Sequence, residues 1–97
     1  MTLPARHYRE LFALIAAVGN EKDAALLMRD ILTPQELDSV AERWQEIQML
    51  ASGLPQRTIA AKLGISISKI TRGSHALKHG TGGFNRMLTK MKKVKNN

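Results

Sequence analysis

The sequence predicts an all-α fold, a six-helix chain that contains a helix-turn-helix. Apolar residues recur at three- and four-residue spacing in one segment after another, which is typical of amphipathic helices. Residues 55–78 also place a glycine, a small residue and apolar side chains where two short crossing helices need them. The length of 97 residues indicates a single small domain over residues 1–97.

Residues 1–31 are predicted to form two dimerisation helices, over 4–18 and 21–31. The second of these is apolar around much of its circumference, which suggests burial. Four aromatic residues are few for the core of a monomer, and a small chain with a thin core often completes it by pairing with a second copy. The apolar face of the first helix comprises Tyr8, Leu11, Phe12, Ile15 and Val18.

A central helix is predicted within residues 32–54. Its start is well marked, because Thr33 can cap it, Pro34 suits a first helical position and Glu36 can complete a capping box. Gly53 is expected to end it. The predicted buried side comprises Leu37, Val40, Trp44, Ile47 and either Leu50 or Ala51.

The helix-turn-helix is predicted over residues 55–78. Its first helix runs from Pro55 to Leu63 and ends at Gly64, where a left-handed backbone costs glycine least. Ser66 can cap the second helix. In that helix Ile67, Ile70 and Leu77 are expected to face inward, and Ser68, Lys69 and Thr71 outward. The alternative is an ordinary helical hairpin with a polar surface.

The distribution of charge points to a nucleic-acid partner. Residues 1–54 hold five basic residues and all eight acids, whereas residues 55–97 hold ten basic residues and no acid. A solvated surface usually mixes both signs, so an acid-free half favours a segment that lies along phosphates. An anionic membrane surface is the competing partner, and it is disfavoured because the large apolar residues are needed for packing.

The remaining segments carry no catalytic or metal-binding motif. The glycine-rich stretch 78–83 lacks the Gly-Lys-Ser/Thr ending of a nucleotide loop. His75 and His79 have no third ligand, so no metal site is expected. Residues 84–95 are predicted to form a C-terminal helix with lysines at its end. No Ser, His and Asp are spaced as in a catalytic triad, and residues 55–97 contain no acid for an acid–base pair. An enzyme is therefore not expected.

The composition excludes several other classes of protein. The chain contains no cysteine, so neither disulfides nor a Cys-based zinc site is expected. No apolar run approaches the roughly 20 residues of a membrane span, and the first residues lack the apolar stretch of a signal peptide. We therefore expect a soluble, cytoplasmic protein.

Residues 67–78, Ile-Ser-Lys-Ile-Thr-Arg-Gly-Ser-His-Ala-Leu-Lys, resemble the signature of the bacterial trp operon repressor family. The Leu-Thr-Pro-Gln-Glu helix start, the helix around Arg43 and the Gln56-Arg57 opening match that family in the same order. The likeness covers residues 32–78 well and the first thirty residues only loosely.

The resemblance implies an intertwined homodimer that places a helix-turn-helix from each chain in successive major grooves, with L-tryptophan as co-repressor. It implies that Arg43 and Arg72 flank the indole, that Arg72 also engages the carboxylate, and that Gly73 leaves room for the ring. Leu32 and Thr33 would line the pocket near the amino group. The implied DNA-binding residues are Gln56, Arg57, Ile67, Ser68, Lys69 and Thr71.

A sequence-specific, homodimeric repressor that binds a palindromic operator is thus the predicted function. The chain has Ala76 where the family usually has a serine that helps to hold the ligand amine, and its 53–56 link is one residue shorter than usual. One alternative is therefore a DNA-binding regulator of the same superfamily that responds to another ligand or to none. An alternative of another class is a basic helical module that contacts its partner without reading sequence.

Overall fold

The computed structural model describes residues 2–95, which form six α-helices and, within that range, no strand. The predicted all-α fold with a helix-turn-helix is therefore confirmed. None of these helices is long and apolar enough to cross a membrane. The helices are α1 (Ala5–Ala16), α2 (Glu21–Ile31), α3 (Pro34–Ala51), α4 (Gln56–Leu63), α5 (Ile67–His79) and α6 (Gly83–Lys95).

The chain divides into two compact units, and the division follows Leu37, inside α3. In the first unit, α1 ends at Ala16, two residues before the predicted end at Val18. Neither α1 nor α2 contains a buried residue. Large apolar side chains of both helices are therefore exposed in the single chain, among them Tyr8, Leu11, Phe12, Ile15 and Leu26.

Side-chain caps define where α2 and α3 begin. Asn20 accepts a hydrogen bond from the Asp23 amide at 2.8 Å. The predicted capping box of α3 is confirmed, because Thr33 Oγ1 accepts from the Glu36 amide at 3.1 Å and the Thr33 amide donates to Glu36 Oε1 at 2.8 Å. The hydrogen bond that the Thr33 amide donates to the Glu36 carboxylate is the main reason why the pKa of Glu36 is lowered, and the Thr33 side chain adds to the effect.

Three fully buried isoleucines form the core of the second unit, one from each of α3, α4 and α5. They are Ile47, Ile59 and Ile70, and all three were predicted to face inward. Since α4 and α5 also contact each other extensively, the helix-turn-helix is held both internally and by the central helix.

Two glycines with positive φ mark the ends of α3 and α4. Gly53 has a φ of 90° after α3, and Gly64 has a φ of 65° after α4. In each case the following amide, of Leu54 or Ile65, donates to the carbonyl five residues earlier at 3.2 Å, which is the usual closure of a glycine-terminated helix. Both predicted stops are confirmed.

Three further details of the sequence prediction were wrong. Pro55 precedes α4 with an extended ψ of 145°, so it caps the helix instead of taking its first position. Ile67 and Val40 were expected to face inward, yet they are 47% and 45% exposed. Helical periodicity identifies a face of a helix, but it does not say how far a neighbouring element extends over that face.

Candidate functional site

The opening turns of α5 present polar side chains to solvent. Ser66 caps the helix by accepting from the Lys69 amide at 3.3 Å. Ser68, Lys69 and Thr71 are exposed, as predicted, while Ile70 between them is completely buried. The buried isoleucine fixes the rotation of α5 about its axis, so its polar side faces away from the core. Ile67, exposed beside them, adds an apolar side chain to the same surface.

The start of α4 lies against this surface. Thr71 Oγ1 donates to Gln56 Oε1 at 3.3 Å, a contact that links residues fifteen positions apart. Gln56 is half-buried, and the neighbouring Arg57 is exposed. The structure therefore brings Gln56 and Thr71, two of the implied DNA-binding residues, into direct contact.

Lys69 has an acidic neighbour from the central helix. Its Nζ lies 3.7 Å from Glu42 Oε1, and the two side chains are 60% and 36% exposed. An ion pair this open to water contributes little to stability, typically about 0–1 kcal/mol. Lys69 can therefore exchange this partner for another acceptor at little cost in stability.

The three helices that follow residue 55 carry positive charge and no acid. From residue 55 onward the sequence holds ten basic residues and no acid. The structure describes nine of these ten side chains, all except that of Lys95, and all nine are exposed. Their positive field is therefore directed to solvent. These exposed residues are Arg57, Lys62, Lys69, Arg72, Lys78, Arg86, Lys90, Lys92 and Lys93.

A polar cavity of about 420 Å³ lies between α3, α5 and the start of α6. The structure brings three of the five implied ligand residues, Arg43, Arg72 and Gly73, to this cavity. All its lining residues fall between 39 and 84, so Leu32 and Thr33 are not among them. The complete lining is Ser39, Glu42, Arg43, Glu46, Lys69, Arg72, Gly73, Ala76 and Phe84.

Glu46 is the one residue of this cavity whose side chain is almost completely buried. It is 4% exposed, and its Oε1 has no hydrogen-bond partner among the described protein groups. Glu46 was not among the site residues predicted from the sequence. The available signal was its helical spacing, because Glu46 lies three residues after Arg43 and directly before the buried Ile47.

The Glu46 carboxylate occupies the space that a side chain at position 73 would need. A Cβ placed on Gly73 would lie 2.6 Å from Glu46 Oε1 and 2.8 Å from its carboxyl carbon. The resemblance assigned the room beside Gly73 to an indole ring, and in this structure the room holds a carboxylate. Gly73 is thus the residue that allows α5 and the buried Glu46 to lie so close together.

Burial raises the pKa of Glu46, because the charged form loses its hydration. Arg43 and Lys69 oppose this effect as nearby positive charges, while Glu42 adds to it as a like charge. Desolvation dominates, so the folded protein favours the neutral acid more than the unfolded chain does.

A second, largely apolar cavity of about 770 Å³ lies beside the first. Trp44 and Phe84 line it, and their rings stack with centroids 6.5 Å apart. Ala76 lines both cavities. The remaining lining includes the glycine-rich link before α6 and the exposed Met87 and Met91, so this cavity continues into an apolar strip of α6.

The two histidines of α5 lie close to each other, with ring centroids 5.0 Å apart. No third His, Cys, Asp or Glu joins them or any other pair in a metal-binding arrangement within residues 2–95.

The sequence matches the model of the Trp repressor protein family over residues 6–92. It is 39% identical over 83 residues to the Trp operon repressor homolog of Chlamydia trachomatis serovar L2, a match that covers 84% of this chain and 71% of that protein. A Trp operon repressor homolog of Vibrio parahaemolyticus is 34% identical over 74 residues, which are 75% of this chain and 72% of the relative.

Solved structures show the same similarity. A TrpR like protein from Eubacterium eligens superimposes with a TM-score of 0.85 at 26% sequence identity, and the match covers 93% of each chain. The likeness therefore extends over all six helices and is not confined to the helix-turn-helix.

The burial of Glu46 leads to a prediction about stability. We expect Glu46→Gln to raise the free energy of unfolding at pH 7 by about 1 kcal/mol, because an amide of the same shape avoids burying a charge. The folded-state pKa of Glu46 lies above the ordinary value of 4.5, so this advantage should shrink as the pH falls through that raised pKa and vanish near 4.5.

Urea unfolding of both proteins between pH 4 and pH 8 measures this difference. Glu36→Gln is the matched control, because the carboxyl of Glu36 is exposed and its pKa is lowered. This substitution should therefore lower the free energy of unfolding at pH 7, whereas Glu46→Gln should raise it. A Glu46→Gln protein that is less stable than the wild type at pH 7 would contradict the prediction.

Proposed function

The chain belongs to the Trp repressor family of DNA-binding regulators. We propose that it is a homodimeric transcriptional repressor that binds a palindromic operator and uses L-tryptophan as its co-repressor. The resemblance found in the sequence is thereby confirmed at the level of the family. The observation that carries the proposal is the exposed polar start of α5 in an acid-free half of the chain. The second helix of such a motif is the one that enters the major groove.

In the proposed complex, side chains from the first turn of α5 contact the edges of the bases. Side chains from the start of α4 contact the sugar-phosphate backbone of the DNA. Lys69 is suited to the paired acceptors of guanine or to a phosphate. Gln56, in contact with Thr71, and the exposed Arg57 are suited to phosphates or a base edge. The proposed DNA-binding residues are Gln56, Arg57, Ile67, Ser68, Lys69 and Thr71.

Dimerisation is supported by the apolar surface of the first unit. Phe12 is 63% exposed and Leu26 is 57% exposed in the single chain, and α1 and α2 bury no residue at all. Such surface is rare on a monomer and is typical of a face that another chain covers. A symmetric dimer carries two equivalent reading helices, which is why a palindromic operator is expected.

The proposed tryptophan site uses the polar cavity. Arg43 and Arg72 both line it, and an arginine can pair with a carboxylate and also stack on an aromatic ring. Leu32 and Thr33 stay in the proposed site on the strength of the resemblance. For co-repression, the ligand must bind the DNA-competent arrangement more tightly than the alternative, because equal affinity shifts nothing.

A regulator of the same family with another ligand, or with none, is the second candidate. It is favoured by Ala76, which offers a methyl group to the cavity at the position where the family usually has a serine. A non-specific basic module is the third candidate, since the charge of residues 55–97 alone would support phosphate binding.

Selection from random duplex DNA, with and without L-tryptophan at one moderate salt concentration, tests the proposal. We expect a palindrome to be enriched only with tryptophan. Equal enrichment in both conditions would keep the DNA reader and discard the co-repressor. No enrichment, together with equal loss of selected and scrambled duplexes as salt increases, would favour the non-specific module.

Lys69→Ala is expected to weaken operator binding about tenfold, because one base-edge contact contributes roughly 1–3 kcal/mol. Lys62→Ala is the matched control, since it removes the same charge from an exposed position on α4. Fluorescence anisotropy with operator and scrambled duplexes measures both variants. If both variants lose the same affinity for the operator and for the scrambled duplex, Lys69 contributes only its charge and does not read the sequence.

Arg72→Ala is expected to weaken L-tryptophan binding by about tenfold to a hundredfold, because it removes a charge-assisted partner of the ligand carboxylate. Arg86→Ala is the control, because Arg86 is exposed and does not line the cavity. Isothermal titration calorimetry measures the affinity. An unchanged affinity in Arg72→Ala would remove this arginine from the ligand site.

A further inference from the structure

The polar cavity contains a carboxylate, that of Glu46, to which the proposed function assigns no role. It contacts neither DNA nor the carboxylate of the ligand in that proposal. Glu46 lines the cavity, is 4% exposed and has an oxygen without a hydrogen-bond partner among the described protein groups. A buried polar atom left unpaired typically costs about 1–3 kcal/mol. The feature is therefore unfavourable for folding, and a ligand that supplies a donor would remove the cost.

The cations around Glu46 do not neutralise it directly. In residues 2–95, no Lys, Arg or His nitrogen lies within 4 Å of its carboxylate, and Lys69 pairs with Glu42 instead. Arg43 and Lys69 act on Glu46 only from a greater distance. The Glu46 carboxylate can therefore still accept a hydrogen bond from a positively charged donor.

The cavity presents both signs of charge in one space of about 420 Å³. Arg43, Lys69 and Arg72 supply the positive charge at exposed positions, and Glu46 supplies a buried negative charge. A ligand that carries a carboxylate and an ammonium group next to each other matches this arrangement.

We propose that Glu46 is the ammonium-binding residue of this cavity and that the ligand is an α-amino acid whose carboxylate pairs with the arginines. This inference rests on the proposed ligand-binding function and assigns the residue that distinguishes an amino acid from its deaminated analogue. An ammonium–carboxylate contact is charge-assisted and stronger than a contact with the neutral hydroxyl of Ser39, and Ala76 offers no polar atom.

Gly73 has a defined part in this arrangement. Since a Cβ at this position would lie 2.6 Å from Glu46 Oε1, any larger residue would displace the carboxylate from its place beside α5. Glycine therefore keeps Glu46 next to the helix that carries Arg72. The charges that recognise the ligand come from two helices, Arg43 and Glu46 from α3 and Arg72 from α5, so the ligand bridges the central helix and α5.

The proposal implies strong selection for the amino group. A deaminated acid would leave Glu46 unpaired in the occupied cavity, and buried polar groups without partners are the most effective means of rejecting a near-isosteric ligand. The neutral side chain of the Glu46→Gln variant would not discriminate in this way, because an amide supplies no countercharge.

The test compares L-tryptophan with indole-3-propionate, which keeps the ring and the carboxylate but lacks the amine. Calorimetric titration of the full chain should show that the wild type prefers tryptophan about tenfold or more. Glu46→Gln should lose that preference by weakening tryptophan binding while leaving indole-3-propionate binding unchanged or stronger. Because Glu46→Gln is expected to be the more stable protein, unfolding cannot imitate this result.

Glu42→Gln is the matched control, because it removes a carboxylate from the same cavity that is already paired with Lys69. It should keep the preference for tryptophan. The proposal is overturned if Glu46→Gln retains the preference, if it weakens both ligands equally, or if Glu42→Gln loses the preference to the same extent.

Failure of tryptophan binding is distinguishable from failure of the Glu46 assignment. If the wild type binds neither indole compound, thermal-shift measurements with each of the standard L-amino acids follow. An amino acid that stabilises the wild type but not Glu46→Gln supports the ammonium site and rejects tryptophan as its ligand. If no amino acid stabilises the wild type selectively, both proposals are rejected.

Discussion

The burial of three isoleucines is the interaction on which the second unit depends. Ile47, Ile59 and Ile70 come from the central helix and from both helices of the helix-turn-helix, and each is completely buried. Because an isoleucine is stiff and branched, it restricts the rotation of its helix once it is enclosed. The rotation of α5 decides which side chains face solvent, so the same packing that stabilises the unit also orients the proposed DNA-reading surface.

Packing against the central helix also brings a charge into the interior. Glu46 stands directly before Ile47, so burial of the isoleucine carries the carboxylate to the edge of the core, beside Gly73. The resulting rise in the pKa of Glu46 reflects an unfavourable burial that a neutral residue would avoid. Sites of this kind are commonly retained for binding at the expense of stability, which is how we interpret Glu46.

The two parts of the chain differ in both hydrophobicity and charge. The first unit leaves its apolar helix faces uncovered, while the helices after residue 55 expose nine described basic side chains and no acid. One surface therefore suits another protein chain and the other suits phosphates. The residues that we propose for dimerisation and those that we propose for DNA binding therefore come from different parts of the sequence. The weak Lys69–Glu42 pair is the one acidic contact that the central helix makes with this field among the described ion pairs.

Local features of the chain were determined by the sequence itself, because their causes lie within a few residues of one another. The Thr33–Glu36 capping box, the turn at Gly64 and the inward faces of Ile59 and Ile70 are of this kind. The sequence also contained the motif by which the family is identified. Tertiary structure alone decided the exposure of Ile67 and Val40 and the burial of Glu46. Periodicity identifies the face of one helix, whereas burial depends on which distant element covers that face, and only the packed fold places Gly73 of α5 beside Glu46 of α3.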